Sequence, residues 1–401
     1  MHVGFDLPPL SPPYTGIPNY TLFTLDALKR LSPNLQLSGF REFDWRAVDH
    51  EGLAVLAARG GKTLLGFDHL ANVAAKAQSI GWSTSARRAL RKAPVIHRAA
   101  SRLRGFSYKV TSPHRGIDLF HAFIYRAPGR SDVPVLPVWY DLSHLRVPET
   151  HPVARLRWLE TAAREAQDAP VIQTISAFTA SELSCLLGIA PERIRVVYPG
   201  VSRVSDNLAA EPTLTRFGLR AFEYAITVST LEPRKNLRTL VLAYTRLPVR
   251  VRLRFPLCII GAQGWGDLNL PADTVALERE GSIRFLGFVT DETLRTLFAN
   301  TRLMLYPSLY EGFGMPIAEA LVEGAPVACS AAASMPEAAG DTAILIDPLD
   351  VDGWTHALSQ SYDGRAHADL ELRSKRQHHA ERFSWDTAAV QVLRMYRELI
   401  R

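Results

Sequence analysis

Two glutamates flank a glycine-containing turn in the segment SLYEGFGMPIAEALVEG, which begins at Ser308. Seven residues separate Glu311 from Glu319, so the pattern predicts that Glu311 lies in a loop and Glu319 in the following helix. Pro316 suits the start of that helix, because the N–H that proline lacks would be unpaired there. Carboxylates accept paired hydrogen bonds from diols, and a helix N-terminus attracts phosphate. The segment therefore suits a ligand with a diol on each side of a diphosphate.

A second loop carries two adjacent cations. Arg234 and Lys235 lie in TLEPRKN, directly after an apolar run that begins at Tyr224. Two cations between a strand and a helix suit the stabilisation of a departing diphosphate, although a solvated loop would have the same composition. Gly261 lies in a third loop, GAQGWG, which either lines a cleft or forms a simple turn.

The elements that must position these loops follow from the hydrophobic pattern. Short apolar runs alternate with helix-like stretches, which is typical of an α/β fold with parallel sheets. One such series covers 1–203 and another covers 216–380, with the polar stretch 202–215 between them as the predicted linker. Each series predicts a doubly wound, Rossmann-like domain, and 381–401 contains an amphipathic helix. Because such sheets collect ligands at the carboxyl ends of their strands, we expect the ligand in a cleft between the domains.

The composition is ordinary for a globular protein of 401 residues, with 47% hydrophobic and 21% charged residues. Cys185, Cys258 and Cys329 lie far apart, without metal or disulfide spacing, which favours a reducing compartment. The N-terminal residues lack the pattern of a signal peptide. No apolar run approaches the roughly 18 to 20 residues that span a bilayer. We therefore expect a cytoplasmic protein, with the option of a peripheral position at the inner face of the plasma membrane.

The net charge of +6 comes from an excess of basic residues in one segment. Between His69 and Ile117 there are ten Lys or Arg residues and no Asp or Glu. Within this stretch, 87–104 interleaves basic and apolar residues. It could contact an anionic membrane surface or a lipid-linked diphosphate, or form a solvated basic helix. Nucleic-acid binding is not expected, because no recognised nucleic-acid fold accompanies the charge.

The segment with the two glutamates resembles the E-x7-E signature of retaining glycosyltransferase family 4, which has the GT-B fold. The next segment, SAAASMPEAAGDTAILIDPLD from Ser330, resembles the S-x-x-x-S-x-P-E-x-x-G-D-x-A run of the same family. The resemblance covers nearly the whole chain, is strongest over 224–348, and extends to bacterial O-antigen and polysaccharide mannosyltransferases. In GT-B enzymes a C-terminal helix such as the one in 381–401 crosses back to the first domain.

The resemblance implies roles for the donor-binding half. Glu311 would contact hydroxyls of the transferred sugar, and Glu319 the ribose diol. Lys235 would bind phosphate. Thr230 stands where the family usually has an arginine, so Arg234 is the available guanidinium. The remaining donor contacts would come from the backbone, at the diphosphate and at the strand that frames the base: Phe313, Gly314, Met315 and Val289.

The N-terminal half would bind the acceptor, a glycan or a lipid-linked glycan. Gly16 resembles the glycine that lets the backbone pass close to the donor phosphate, or else belongs to a turn. His121 resembles a histidine that hydrogen-bonds the sugar or orients the acceptor hydroxyl, with a packed core histidine as the alternative. In WYDLSH, Tyr140 replaces the family's histidine, whereas Asp141 is retained and His144 is a possible substitute.

The resemblance implies a hexosyltransferase of surface polysaccharide synthesis. Its donor would be a nucleotide-diphosphate sugar, with GDP-mannose as the first expectation and rhamnosyl, glucosyl or galactosyl donors still open. Retention would follow from front-face substitution, in which the leaving phosphate helps to accept the proton. No Asp-x-Asp pair lies in a setting typical of metal-bound sugar nucleotides, so neither a metal nor a further cofactor is expected. A GT-B epimerase or hydrolase and a non-catalytic sugar-nucleotide binder are the alternatives.

Overall fold

A computed structural model describes residues 1–10, 16–41, 44–59, 64, 103, 105–108, 116–129, 131–202, 210–364 and 368–400. Thirteen strands in these residues form two sheets, each surrounded by helices. The predicted membrane-contact segment 87–104 lies outside the described residues, except for Leu103. Within the described part of the chain, no helix is both long enough and apolar enough to cross a bilayer.

The N-terminal sheet has seven strands in the order β3-β2-β1-β4-β5-β6-β7. All neighbouring strands are parallel except the edge pair of β2 and β3. The order reverses between β1 and β4, so their carboxyl ends face the crevice where such sheets hold ligands. The strands are β1 (His2–Asp6), β2 (Gln36–Arg41), β3 (Asp44–Ala47), β4 (Leu119–Ala122), β5 (Val135–Trp139), β6 (Ile172–Thr174) and β7 (Ile194–Val196).

The C-terminal sheet has six parallel strands in the order β10-β9-β8-β11-β12-β13, the doubly wound arrangement predicted from the alternating pattern. Here the order reverses between β8 and β11. The loops that follow these two strands contain TLEPRKN and SLYEGFG. The strands are β8 (Ala225–Val228), β9 (Leu257–Ile260), β10 (Ile283–Gly287), β11 (Leu303–Tyr306), β12 (Val327–Ser330) and β13 (Ile344–Ile346).

Fifteen α-helices lie in the described residues, and several begin at recognisable caps. The Ser176 hydroxyl accepts from the Thr179 N–H at the start of one helix, and Gly188 ends that helix in the left-handed conformation. The helices are α1 (Gly16–Leu31), α2 (His50–Arg59), α3 (Ser143–Arg146), α4 (Val153–Ala166), α5 (Ala177–Leu187), α6 (Ala210–Arg216), α7 (Leu237–Thr245), α8 (Val249–Arg254), α9 (Thr274–Glu280), α10 (Asp291–Ala299), α11 (Met315–Val322), α12 (Met335–Ala339), α13 (Val351–Asp363), α14 (Leu370–Glu381) and α15 (Trp385–Ile400).

The predicted linker differs from the structure in its second half. The polar stretch 202–215 is predicted to be irregular, yet α6 begins at Ala210 and includes most of that half. Leu214 explains the difference, because it is buried and anchors the helix. Residues 203–209 lie outside the described part of the chain.

Helix α15 packs against α1, on the N-terminal side of the molecule. Trp385 stacks on Phe23 with ring centroids 5.5 Å apart, and the Tyr396 hydroxyl lies 2.6 Å from His121 Nδ1. One apolar core runs through both sheets and this helix. It includes Phe5 of the N-terminal sheet, Phe313 of the glutamate loop and Tyr396 of α15. Burial of such surface is the main favourable contribution to folding, so the core resists separation of the two halves.

Glu337 joins the two halves by capping a helix of the other sheet. Its carboxylate accepts from the N–H groups of Ala177 and Phe178, at 2.7 and 3.0 Å, at the start of α5. The Tyr198 hydroxyl donates to the same carboxylate at 2.7 Å. A carboxylate at a helix N-terminus pairs orphan N–H groups and complements the helix dipole.

Candidate active site

The loops after β8 and β11 are held together by hydrogen bonds to their backbone carbonyl groups. The Leu309 N–H donates to the Arg234 carbonyl at 2.9 Å. Asn236 adopts φ +54° and donates from its side chain to the carbonyls of Pro307 and Pro348, at 2.9 and 2.6 Å. Asparagine tolerates this left-handed conformation better than most residues. The cationic loop is therefore fixed against the glutamate loop.

Glu311 binds both predicted cations at once. Lys235 Nζ donates to its Oε1 at 2.5 Å, and Arg234 Nη1 donates to its Oε2 at 2.9 Å. The Tyr306 hydroxyl donates to Oε1 at 3.0 Å, and Arg234 Nη2 is paired with Glu232 at 2.7 Å. Arg234 Nε has no hydrogen-bond partner among the described residues. The result is a preorganised pair of cations, built around one carboxylate.

The pKa values of this cluster follow from burial and charge. Burial alone would raise the pKa of Glu311, but the charges of Arg234 and Lys235 outweigh it and lower the pKa to about 2. Burial lowers the pKa of Arg234, yet the nearby carboxylates of Glu311, Asp141 and Glu232 raise it overall. Burial and the Arg234 charge lower the pKa of Lys235, while Glu311 limits the fall. Glu311 therefore remains ionised at any physiological pH.

Glycines set the shape of the glutamate loop. Gly312 passes so close to β5 that an added Cβ would lie 1.8 Å from the Tyr140 carbonyl oxygen. Gly314 precedes α11 with φ +100°, a conformation that favours glycine. Helix α11 begins at Met315, so Pro316 is its second residue rather than its first. The N-terminus of α11 faces the same cavity as the cations.

The glycine loop after β9 reaches the other half of the molecule. Gly261 has φ +149°, and an added Cβ there would lie 1.7 Å from the Ser229 carbonyl oxygen. Further along, Trp265 Nε1 donates to the Thr150 carbonyl at 2.7 Å, and its ring lies 5.4 Å from the Arg155 guanidinium. This loop thus packs closely against the cationic loop and also contacts the N-terminal half across the cleft.

A cavity of about 460 Å³ lies between the two sheets. That volume is within the usual range of small-molecule sites. Glu319, on the second turn of α11, lines the same wall as the glutamate loop. The cavity brings together ten of the residues that the sequence predicted for the site: Gly16, Arg234, Lys235, Gly261, Val289, Glu311, Phe313, Gly314, Met315 and Glu319.

His121 lies outside this group. It lies in β4, fully buried, stacked on Phe123 at 3.8 Å and bonded to Tyr396 of α15. It does not line the cavity. Burial lowers the pKa of His121 to about 3, so its ring is neutral. The structure supports the alternative of a packed core histidine, because α15 covers the place where the site was expected.

The Tyr140–His144 segment follows β5 on the opposite wall. Tyr140 and Asp141 line the cavity, whereas His144 is buried beside Trp139 and does not. Asp141 Oδ1 accepts from the backbone N–H and the hydroxyl of Ser143, at 3.0 and 2.7 Å. The role of His144 as a substitute for the family's histidine therefore has no support from the lining of the cavity.

Several lining residues were missed by the sequence analysis. Glu232 and Tyr306 complete the charge cluster, and Arg155, Trp265 and Trp385 line the cavity from distant parts of the chain. Glu232 stood in the quoted loop and could have been found there. Trp265 likewise stood in the quoted loop after Gly261, whereas the other three carry no local signal, because only tertiary packing brings them to the cleft. Within the described ranges, no group of three or more His, Cys, Asp or Glu side chains is arranged to hold a metal ion.

Comparison with known proteins extends these observations. The family model for glycosyl transferases group 1 matches residues 220–381. O-antigen chain mannosyltransferase B of Escherichia coli is 37% identical over 288 residues, which cover 70% of this chain and 74% of that protein. The MMP alpha-(1->4)-mannosyltransferase of Mycolicibacterium hassiacum is 30% identical over 256 residues, covering 61% and 58% respectively. HepE from Anabaena, solved with UDP-glucose, aligns with a TM-score of 0.66, 17% identity and 99% coverage of both chains.

Two Rossmann-like domains facing a cleft, with cations and a helix N-terminus on one wall, form the GT-B fold. The match to the E. coli relative is long enough to go further. The chain belongs to the glycosyl transferases group 1 family.

Proposed function

We propose that the enzyme transfers a hexose from a nucleotide-diphosphate sugar to a glycan or lipid-linked glycan, with retention of anomeric configuration. Mannose is the first candidate for this hexose. The observation that carries this proposal is the Glu311 cluster, with Arg234 and Lys235 fixed beside the N-terminus of α11. This wall supplies positive charge where a diphosphate leaves. The names of the two mannosyltransferase relatives support mannose, and GDP-mannose is the proposed donor.

The cluster also supports a mechanism without a metal. Arg234 and Lys235 are fixed side by side on one loop, so their cationic forms can neutralise the leaving diphosphate. Glu311 holds them in place and can, in addition, accept a hydrogen bond from the transferred sugar. In this proposal Glu319, further along α11, binds the ribose diol, and the backbone N–H groups at 313–315 bind phosphate oxygens.

The first experiment measures thermal stabilisation by GDP, UDP, GDP-mannose and UDP-glucose, with EDTA present, for wild type and Glu319→Ala. A ligand that binds only the folded state raises its stability, so one diphosphate should raise the Tm of wild type. The substitution should abolish that rise. If none of these ligands raises the Tm of a folded wild type, the assignment of the cavity as the donor site is overturned.

A transfer assay then separates this activity from hydrolysis. With octyl α-mannoside as acceptor, NMR should show a new glycoside with the anomeric configuration of the donor. Release of free sugar at the same rate with and without acceptor would contradict the proposal and indicate a hydrolase.

A further inference from the structure

Asp141 lines the cavity, and only one of its carboxylate oxygens accepts hydrogen bonds from described residues. It follows β5 and faces the Arg234 wall from the N-terminal side. The two bonds from Ser143 both reach Oδ1. No hydrogen bond from another described residue reaches Oδ2, and Asp141 forms no ion pair with Arg234 or Arg155. Oδ2 is thus left for a ligand in the space between the two walls.

A buried relay holds this carboxylate from behind. The Ser143 hydroxyl gives its single proton to Asp141, so His151 Nε2, 2.8 Å from the same hydroxyl, must be the donor in their bond. Nδ1 of His151 has no partner in the described structure, as expected for a neutral ring. Burial, with the Arg155 charge, lowers the pKa of His151 to about 4. The order of donation is therefore His151 to Ser143 to Asp141.

The charge of Asp141 restricts the ligand group that it can meet. Burial would raise its pKa, but the Arg234 charge and the Ser143 bonds outweigh burial and leave the pKa below its usual range. An ionised carboxylate only accepts hydrogen bonds, and it repels phosphate. A neutral group with a proton to donate fits Oδ2, and each hydroxyl of the transferred sugar and of a glycan acceptor is such a group.

We propose that Asp141 binds a sugar hydroxyl through Oδ2 and determines sugar specificity, with Ser143 and His151 as its positioning residues. The inference rests on the proposed function. The hydroxyl can belong to the transferred sugar or to the acceptor sugar, since both offer the same chemistry to a carboxylate. Two arms of one experiment distinguish these sources.

The experiment compares Asp141→Asn with Asp168→Asn, a matched change at an exposed turn. In the donor arm, calorimetry without acceptor measures Kd for GDP and GDP-mannose, and for UDP and UDP-glucose. If Asp141 contacts the transferred sugar, Asp141→Asn should raise the Kd for the nucleotide sugar by roughly tenfold to a hundredfold. The affinity for the free diphosphate should stay equal or rise, because a negative charge has been removed.

In the acceptor arm, initial rates with octyl α-mannoside give KM for the acceptor. If Asp141 contacts the acceptor sugar, this KM should rise by a similar factor while the donor Kd is unchanged. An Asp141→Asn variant whose Kd and KM values all lie within twofold of those of Asp168→Asn would overturn the inference.

The positioning role has its own readout. Ser143→Ala should raise the same constant, the Kd for the nucleotide sugar or the KM for the acceptor, by a smaller factor than Asp141→Asn. The double variant should have the same constant as Asp141→Asn alone, because Ser143 acts through Asp141. Additive losses would overturn the relay. A folded wild type that binds no diphosphate would overturn the proposed function itself, whereas normal wild-type binding with an unaffected Asp141→Asn overturns only this inference.

Discussion

Glu311 shows how one residue can serve both structure and chemistry. Its carboxylate is buried between Lys235 and Arg234, with a hydroxyl from Tyr306 on the same oxygen. Removing one member of a buried ion pair leaves an uncompensated charge and costs about 3 to 5 kcal/mol. Loss of activity in a Glu311 variant therefore has to be separated from loss of folding.

Glu311→Gln should lower kcat by about 10²- to 10³-fold, because the two cations lose their common anchor. Glu323→Gln is the matched control, since Glu323 is also buried and pairs with Arg295 at 2.9 Å, but away from the cavity. Both variants should unfold at lower urea concentration, and only Glu311→Gln should lose turnover under conditions where both are folded. Equal turnover in the two variants would argue against the cluster.

His121 makes stability depend on pH. Its folded pKa of about 3 lies below the ordinary value of 6.5. Between these values the unfolded state binds a proton that the folded state does not. The stabilising contribution is therefore complete above pH 6.5 and is lost as the pH falls toward 3, by up to about 1.4 kcal/mol per pH unit.

His121→Asn should flatten the fall of the unfolding free energy between pH 6.5 and 4.5, although His151 retains a similar dependence. Urea denaturation at several pH values measures this slope. His356→Asn, at an exposed helix position, should leave the slope as in wild type. A slope that His121→Asn does not change would mean that His121 is not buried in its neutral form.

At the scale of the elements, the glutamate segment could be predicted because its signals are local. The glycines, Pro316 and the following apolar run specify a loop and then a helix, and the structure has both. The pairing of Arg234 with Glu311 could not be predicted, since Glu311 reaches it only once two loops pack together, whereas Glu232 lies in the same loop as Arg234. The helix within the predicted linker could not be predicted for a similar reason, because burial of Leu214 stabilises a helix in a polar sequence.

Gly312→Ala should separate the glutamate loop from β5, because its Cβ would overlap the Tyr140 carbonyl oxygen. A displacement of 1 Å at a reacting centre can cost about a hundredfold in rate. Gly188→Ala is the control, because its methyl group enters open space at φ +64° and strains only a helix end. Steady-state rates and Tm should show lower stability for both variants and a large loss of rate for Gly312→Ala alone. Full activity of Gly312→Ala would contradict the close approach.

At the scale of the whole molecule, the alternating pattern was sufficient for the fold class. Each sheet has the predicted doubly wound order around its crevice. The surroundings of His121 could not be predicted at this same scale, because they come from a helix far along the chain. The domain boundaries 1–203, 216–380 and 381–401 stay predictions, as do the roles of the site residues.

Glu337→Ala should loosen the connection between the two halves. It removes the acceptor for two N–H groups of α5, and the loss of a helix cap costs about 0.5 to 2 kcal/mol. Hydrogen exchange of Ala177 and Phe178 should become faster. Asp350→Ala, which removes the cap of α13 within one half, should leave these amides unaffected. Unchanged exchange in Glu337→Ala would show that the cap contributes nothing to this connection.

The contact between His121 and Tyr396 joins residues 275 positions apart, and it has a consequence for synthesis on the ribosome. The outer face of α1, with Phe23, cannot be covered until Trp385 and the rest of α15 have left the exit tunnel. Nascent chains add about 5 to 20 residues per second, so this apolar face stays open for ten seconds or more on that scale. The apolar face of α1 is thus exposed for most of the time during which the chain is made.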